Sequence, residues 1–145
     1  MITIYAPAKP LNCQLDGGHL VVEPHRKIAD RIHCTAAEAH ELMAASMLAA
    51  KAMLKILDIE KVNYQEMGNW SLDTPETAKL HIHIFGRSPS QRYQQRGESI
   101  KFFPANHNIY HLVHQPQTRE QIIALISAMQ SLAVQSPFTQ LFNQD

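Results

Sequence analysis

Residues 79–85, Lys-Leu-His-Ile-His-Ile-Phe, alternate between polar and apolar side chains with a period of two. Only a β-strand places alternate residues on opposite faces, so the segment predicts a strand with its three aliphatic residues on one face. His81 and His83 then lie side by side on the other face, with Lys79 and Phe85. Two adjacent imidazoles can hold the oxygens of one phosphate group or bind a metal ion, although the pattern also fits ordinary strand histidines.

The rest of the chain predicts an α+β domain with an antiparallel sheet and helices on one face. The turn signal Asp16-Gly17-Gly18 indicates a hairpin. Capping-box patterns that begin at Thr35 and Thr118 indicate two helices. The predicted strands cover residues 11–22 (as a hairpin), 61–66, 79–85 and 109–113, and the predicted helices cover residues 36–57 and 119–133.

Composition limits the class of protein. The 145 residues, of which 45% are hydrophobic, fit one domain over residues 1–145, with a core over about 11–133 and a tail at 136–145. Thirteen basic residues balance thirteen acidic ones, which argues against a nucleic-acid binder. No window approaches the roughly 18 apolar residues of a membrane span, and there is no signal-peptide core. The two cysteines lack C-x-x-C spacing, which fits a reducing cytoplasm.

The connection over residues 87–108 is long and basic. It contains four basic residues against one acidic residue, together with Tyr93, Phe102 and Phe103. A connection of this length in a small domain is usually functional or mobile. It either covers a phosphate site or forms a solvated surface loop.

The other seven of the nine histidines give weaker signals. His107, His111 and His114 form an H-x3-H-x2-H run, a spacing that can bind zinc but that lacks nearby cysteines or carboxylates. His19 is expected to be structural or to contact a nucleoside. The remaining three, His25, His33 and His40, are assigned no function.

The order of the segments carries a family resemblance. Residues 16–27, the helix start at 35–38, Gly68-Asn69 and the segment Leu-His-Ile-His-Ile-Phe-Gly-Arg at 80–87 occur in succession. This succession resembles the histidine triad family of nucleotide hydrolases and transferases. It covers roughly half of the chain, and the 80–87 segment is its most specific part.

The resemblance implies a five-stranded antiparallel sheet with two main helices, and a homodimer with a continuous sheet. His81 takes the position of the nucleophile, which attacks the α-phosphorus of a purine nucleotide. His83 takes the position of a phosphate-oxygen donor, and Asn69 that of a polar contact to the phosphate or leaving group. The implied substrates are nucleoside phosphoramidates, dinucleoside polyphosphates such as diadenosine polyphosphates, or other adenylylated compounds. No metal or other cofactor is required by this mechanism.

The chain departs from the family pattern at two matched positions. Lys79 replaces the first histidine of the triad, and Lys27 replaces the histidine that follows the Pro-basic-basic stretch. Two lysines there favour phosphate binding and the neutral, nucleophilic form of His81. Glu76 lies near the place of a family glutamine and requires a partner such as Lys79.

Two alternatives stay open at this point. The first is a nucleotide-binding module without efficient turnover, which the two missing histidines motivate. The second is a metal protein that uses His81 and His83, or the run over 107–114, as ligands.

Overall fold

Four antiparallel strands form one sheet, in the order β1-β2-β4-β3, in the computed structural model, which describes residues 1–74 and 78–142. The strands are β1 (Ile2–Tyr5), β2 (His19–Pro24), β3 (Lys61–Gln65) and β4 (Ile82–Arg87). The α-helices are α1 (Ala36–Ile56), α2 (Tyr110–Val113), α3 (Arg119–Ala133) and α4 (Phe138–Phe142). The antiparallel sheet with helices packed against it confirms the predicted α+β class.

The predicted alternation of β4 sets the two faces of the sheet. Val21 of β2 and Gln65 of β3 both pair with His83, from opposite sides of β4. Directly paired residues of antiparallel strands point to the same face, so the histidine face extends across all three strands. Ile84 lies on the opposite face, where it is fully buried in the core beneath α1.

Helix α1 begins at a complete capping box, as its sequence predicts. The Thr35 hydroxyl accepts from the Glu38 amide at 3.2 Å, and the Glu38 carboxylate accepts from the Thr35 amide at 2.8 Å. Ala49 and Ala52 of α1 are fully buried, and their small side chains let the helix lie close to its neighbours. Helical spacing predicts a buried stripe of Leu42, Ser46, Ala49, Ala50, Met53 and Leu57; all are buried except Leu57, which is half-buried at the C-cap of the helix.

The sheet has four strands among the described residues, one fewer than predicted. Residues 11–18 do not form the first arm of a hairpin, because they contain a 3₁₀ turn and Gly17 and Gly18 take φ angles of 119° and 78°. These positive angles turn the chain away from an extended path. The predicted strand at 109–113 is instead helical: Ile109 caps α2, and the amides of Leu112 and Val113 bond back to its carbonyl. The edge next to β2 is occupied by β1, from residues that gave no strand signal.

The end of the described chain packs against the core. Residues 136–142 carry the prediction of a tail, but part of this segment forms α4, whose Phe138 is 3% exposed. The imidazole of His40 bonds to the Leu141 carbonyl at 2.6 Å, so His40 is a half-buried contact of α4 and is not freely solvated. Residues 143–145 lie outside the described residues.

The basic connection between β4 and α2 has neither helix nor strand, but one buried carboxylate organises its first part. Asp16 is 1% exposed and accepts from the backbone amides of Arg92, Tyr93 and Gln94. The Gln94 side chain then bonds to both the amide and the carbonyl of Lys101. The connection is therefore attached to the glycine turn that precedes β2.

Within the described part of the chain, no helix has the length and apolar character needed to cross a membrane.

Candidate active site

The two neighbouring imidazoles face a cavity on the side of the sheet opposite the helices. His83 lies in β4 and His81 lies immediately before it, and both line a cavity of about 450 Å³. Their ring centroids are 4.6 Å apart and the rings meet edge to face. The remaining lining residues are Leu11, Ala29, Met67, Gly68, Ser71 and Lys79. The volume falls in the range of small-molecule sites.

A second cavity of about 390 Å³ adjoins the first, and both are lined by Lys79 and His81. Asn69 also lines this second cavity, at the start of a 3₁₀ turn over Asn69–Ser71. The structure thus brings together four of the five predicted site residues. Lys27 is exposed and lines neither cavity, so its role stays a prediction.

Lys79, at the position of the missing triad histidine, forms an ion pair that the sequence did not indicate. Its ammonium donates to the Glu23 carboxylate at 2.7 Å, and the Tyr5 hydroxyl lies 3.4 Å from the other oxygen of Glu23. Burial, followed by the charge of Glu23, raises the pKa of Tyr5. Glu76, the partner suggested by the sequence, lies outside the described residues.

A backbone carbonyl fixes the tautomer of His81. The Nδ1 atom of His81 lies 2.7 Å from the Lys79 carbonyl oxygen. A carbonyl oxygen can only accept, so Nδ1 carries the proton. In the neutral ring, Nε2 therefore holds a free lone pair.

A second chain of hydrogen bonds fixes the tautomer of His83. The Leu11 amide donates to Nδ1 of His19 at 3.1 Å, which leaves the proton of neutral His19 on Nε2. That Nε2 lies 2.9 Å from Nδ1 of His83, so His19 donates and His83 accepts. The remaining proton of neutral His83 then lies on Nε2, where the ring is a donor.

Burial keeps both members of this pair neutral. His19 is 2% exposed, and loss of solvation, with smaller effects from His83 and His81, lowers its pKa to about 3. His83 is 8% exposed, and burial, followed by the influence of His81, lowers its pKa to about 4. A charged imidazole is disfavoured where water is excluded. Near neutral pH, His83 is thus an uncharged donor of fixed orientation.

Side chains from both ends of the chain hold His19 in place. The Gln117 side-chain amide donates to the His19 carbonyl at 3.2 Å. The buried Asn12 amide donates to the Gly86 carbonyl at 2.7 Å and to the Gly18 carbonyl at 3.0 Å. These bonds tie the segment before β2 to the end of β4. The backbone that carries His19 is therefore held in place relative to β4.

The H-x3-H-x2-H run does not converge on one point. His114 bonds through Nδ1 to the Pro10 carbonyl at 2.6 Å and packs on Tyr110, whereas the His107 ring packs against Phe103. His111 is exposed. Across residues 1–74 and 78–142, no group of three or more His, Cys, Asp or Glu side chains is arranged to hold a metal ion. The predicted zinc alternative therefore gains no support from this segment.

A larger groove of about 830 Å³ lies on the helix side of the sheet, between β1, α1 and the C-terminal segment. Its walls include the apolar side chains of Ile2, Ile4 and Leu48. It is separated from the paired imidazoles by the sheet. His40 and Glu41 also line this groove, whereas the paired imidazoles of His81 and His83 line the smaller cavity.

The sequence did not indicate that His19 bonds to His83, nor that Glu23 belongs to the site. His19 and Glu23 both lie two residues from Val21 in β2, so their side chains point to the same face of the sheet as Val21, which is the histidine face. The period of two in any strand places these three side chains on one face. It did not indicate which strand β2 pairs with, or in which register.

Comparison with known proteins identifies the fold. No protein-family model matches the sequence, and no curated protein is significantly similar to it in sequence. Among solved structures, a hypothetical histidine triad nucleotide-binding protein from Sulfolobus tokodaii is similar, with a TM-score of 0.60 and 13% identity. The alignment covers 91% of this chain and 80% of that one.

Two further solved structures have the same TM-score of 0.60. A histidine triad protein from Bradyrhizobium japonicum is 15% identical, over 90% of this chain and 83% of that one. A zinc-bound histidine triad family protein from Mycobacterium smegmatis is 16% identical, over 90% of this chain and 79% of that one. The chain therefore has the fold of the histidine triad proteins.

Proposed function

We propose that this chain is a nucleotide hydrolase that cleaves its substrate at the α-phosphate through a nucleotidyl intermediate on His81. The observation that carries the proposal is the fixed tautomer of His81, which leaves Nε2 with a free lone pair beside a cavity. Neutral imidazole is a good nucleophile near neutral pH. The fold supports the proposal, and one protein of similar structure is described as nucleotide-binding.

The reaction has two steps. In the first, Nε2 of His81 attacks the α-phosphorus, a nitrogen–phosphorus bond forms, and the bond to the leaving group breaks. The leaving group keeps the electron pair of that bond and takes up a proton from solvent. In the second, the oxygen of a water molecule attacks phosphorus, the nitrogen–phosphorus pair returns to Nε2, and the water releases a proton. The products are the nucleoside monophosphate and free His81.

His83 stabilises the charge that develops on the phosphate oxygens. Its Nε2–H is a donor because His19 occupies the other nitrogen. A neutral donor held by a buried partner needs no reorganisation during the reaction, which is the property that lowers a barrier electrostatically. His19 thus acts as a positioning residue for His83.

Lys79 and Asn69 are proposed to contact the phosphate and the leaving group. The ammonium of Lys79 lines the cavity while bound to Glu23, so phosphate competes with a carboxylate for it. Asn69 offers an amide that does not titrate. Lys27 is proposed to contribute to the positive electrostatic potential at the phosphate site from a distance.

Incubation with an adenosine phosphoramidate tests the proposal. The wild-type chain is expected to release AMP, and His81→Ala is expected to abolish release while AMP binding persists. His33→Ala is a matched control, because the same change is made at an exposed imidazole outside both cavities. Mass spectrometry of quenched protein should show one added adenylyl group on the peptide that contains His81. Full activity of the His81→Ala variant would contradict the nucleophile assignment.

The second candidate is a nucleotide-binding module without efficient turnover. The Lys79–Glu23 ion pair favours it, because the cation at the first triad position is already neutralised by a protein carboxylate. AMP binding without any AMP release from the wild-type chain would support this alternative over the hydrolase.

We also propose that the substrate carries a purine and that the protein is a cytoplasmic homodimer. Exposed Met43, Met47 and Leu54 on α1 and exposed Tyr64 on the edge strand β3 supply apolar surface for an interface. Sedimentation at several protein concentrations tests the dimer, and competition between purine and pyrimidine monophosphates tests the base.

A further inference from the structure

The end of β4 carries a buried arginine without an acidic partner. Arg87 is 7% exposed and donates to the Asn63 side-chain oxygen at 3.3 Å and to the Gln95 carbonyl at 2.7 Å. Both acceptors are neutral. Across residues 1–74 and 78–142, no carboxylate lies within ion-pair distance of Arg87. A guanidinium has five N–H donors, so this buried cation keeps donors beyond the two bonds that it makes.

Arg87 lines a separate cavity of about 330 Å³, which we name the Arg87 recess. Lys61 and Arg96 are the other cations of its lining, and Glu60 and Glu98 are the acids. Arg96 is bound to Glu60 at 3.1 Å, so these two charges largely offset each other. Burial of an uncompensated cation is costly, which makes an anion the natural occupant.

The walls of the recess also contain neutral polar side chains. Gln91 and Ser88 both line the recess. The Gln91 side-chain amide nitrogen and the Ser88 hydroxyl, which also contacts the Ser90 hydroxyl at 3.2 Å, can each donate to an oxyanion. The lining therefore offers neutral donors in addition to the guanidinium.

The recess is formed before any ligand arrives. Its loop wall is fastened by the three amides that bond to Asp16 and by the bond from Arg87 to Gln95. A wall held in this way needs little ordering when a ligand binds, which favours affinity.

We propose that the Arg87 recess binds a phosphate group, free or as a monoester, with the Arg87 guanidinium as its main ligand. The planar fork of arginine matches the geometry of phosphate oxygens, and bonds of this charged type are short and strong. The site is distinct from the imidazole cavity. Arg87 lies six residues along the chain from His81, which corresponds to about 20 Å of extended strand. The proposal therefore holds whether or not His81 is a nucleophile.

Site-resolved NMR of the full chain tests the proposal. Inorganic phosphate is titrated against chloride at matched ionic strength, and the amide signals of Ser88 and Gly97 are followed separately from those of His81 and His83. We expect the Ser88 and Gly97 signals to move in a saturable manner. A second titration with glycerol phosphate distinguishes a monoester from the free ion, since a monoester that fits moves the same signals.

Arg87→Gln should weaken the phosphate affinity measured at Ser88 and Gly97 by at least about tenfold. Arg119→Gln is the matched control, because Arg119 is exposed at the start of α3 and lies outside the recess. If Arg87→Gln does not fold, Lys61→Gln at an exposed lining position should still weaken binding several-fold. Unmoved Ser88 and Gly97 signals in the wild-type chain would overturn the proposal, as would equal affinity in wild type and Arg87→Gln.

Discussion

The buried pair of histidines predicts a specific loss of stability in acid. In the folded chain the pKa of His19 is lowered to about 3, whereas an unfolded histidine has a pKa of about 6.5. Between these values the unfolded state binds a proton that the folded state does not, so stability falls as the pH decreases. A pH of about 4.5 lies two units below the unfolded pKa, and at that pH His19 alone costs the folded state about 2 to 3 kcal/mol of stability.

His19→Gln isolates this contribution. A glutamine does not titrate. Its side-chain oxygen can accept from the Leu11 amide, and its side-chain nitrogen can donate to His83. Free energies of unfolding are measured by urea denaturation at about pH 7 and about pH 4.5, with circular dichroism as the probe. Between these two conditions, wild type should lose about 2 to 3 kcal/mol more than His19→Gln.

The comparison between two pH values removes any pH-independent damage caused by the substitution. His33→Gln serves as the control, because its imidazole is exposed and lies outside the pair, and its acid sensitivity should match that of wild type. Equal losses of stability in wild type and His19→Gln would refute the reasoning, since they would mean that the buried ring accepts a proton as readily as an unfolded one.

Three further substitutions test other parts of the structure. Thr35→Ala removes the cap of α1 and should lower the free energy of unfolding by about 1 kcal/mol, whereas Thr35→Ser should be neutral; urea curves that coincide for all three proteins would refute the cap. Asp16→Asn places an amide N–H donor among the three backbone N–H groups that Asp16 now accepts from, and should therefore speed tryptic cleavage after Arg92 and Arg96. Asp73→Asn, at an exposed position, is the control. Equal cleavage rates in wild type and Asp16→Asn would show that Asp16 does not hold this connection in place. His83→Ala should reduce kcat/KM for a phosphoramidate by about 10- to 1000-fold, and an unchanged value would remove His83 from the mechanism.

Local patterns in the sequence predicted the parts of the fold that short segments determine. The period of two over residues 79–85 placed His81 and His83 on one face, and both capping boxes marked helix starts that the structure contains. These signals depend on residues that are close in sequence, and neighbouring structure does not override them.

The contacts that complete the site depend on residues that are far apart in sequence. The pairing of β2 with β4, which brings His19 to His83, depends on a register that neither strand specifies alone. The Glu23–Lys79 ion pair likewise joins residues that are 56 positions apart. The prediction of a strand at 109–113 was wrong because apolar periodicity in a short run does not distinguish a strand from a helical turn.

The hydrogen bond from Gln117 to the His19 carbonyl joins residues that are 98 positions apart. Such a contact requires a long loop to close, which costs conformational entropy. All four strands and α1 precede Gln117 in the chain. During synthesis, the ribosome must release the segment around Gln117 before His19 is clamped. A fragment that ends before Gln117 therefore contains all four strands of the described sheet but lacks one of the side chains that hold the backbone of His19.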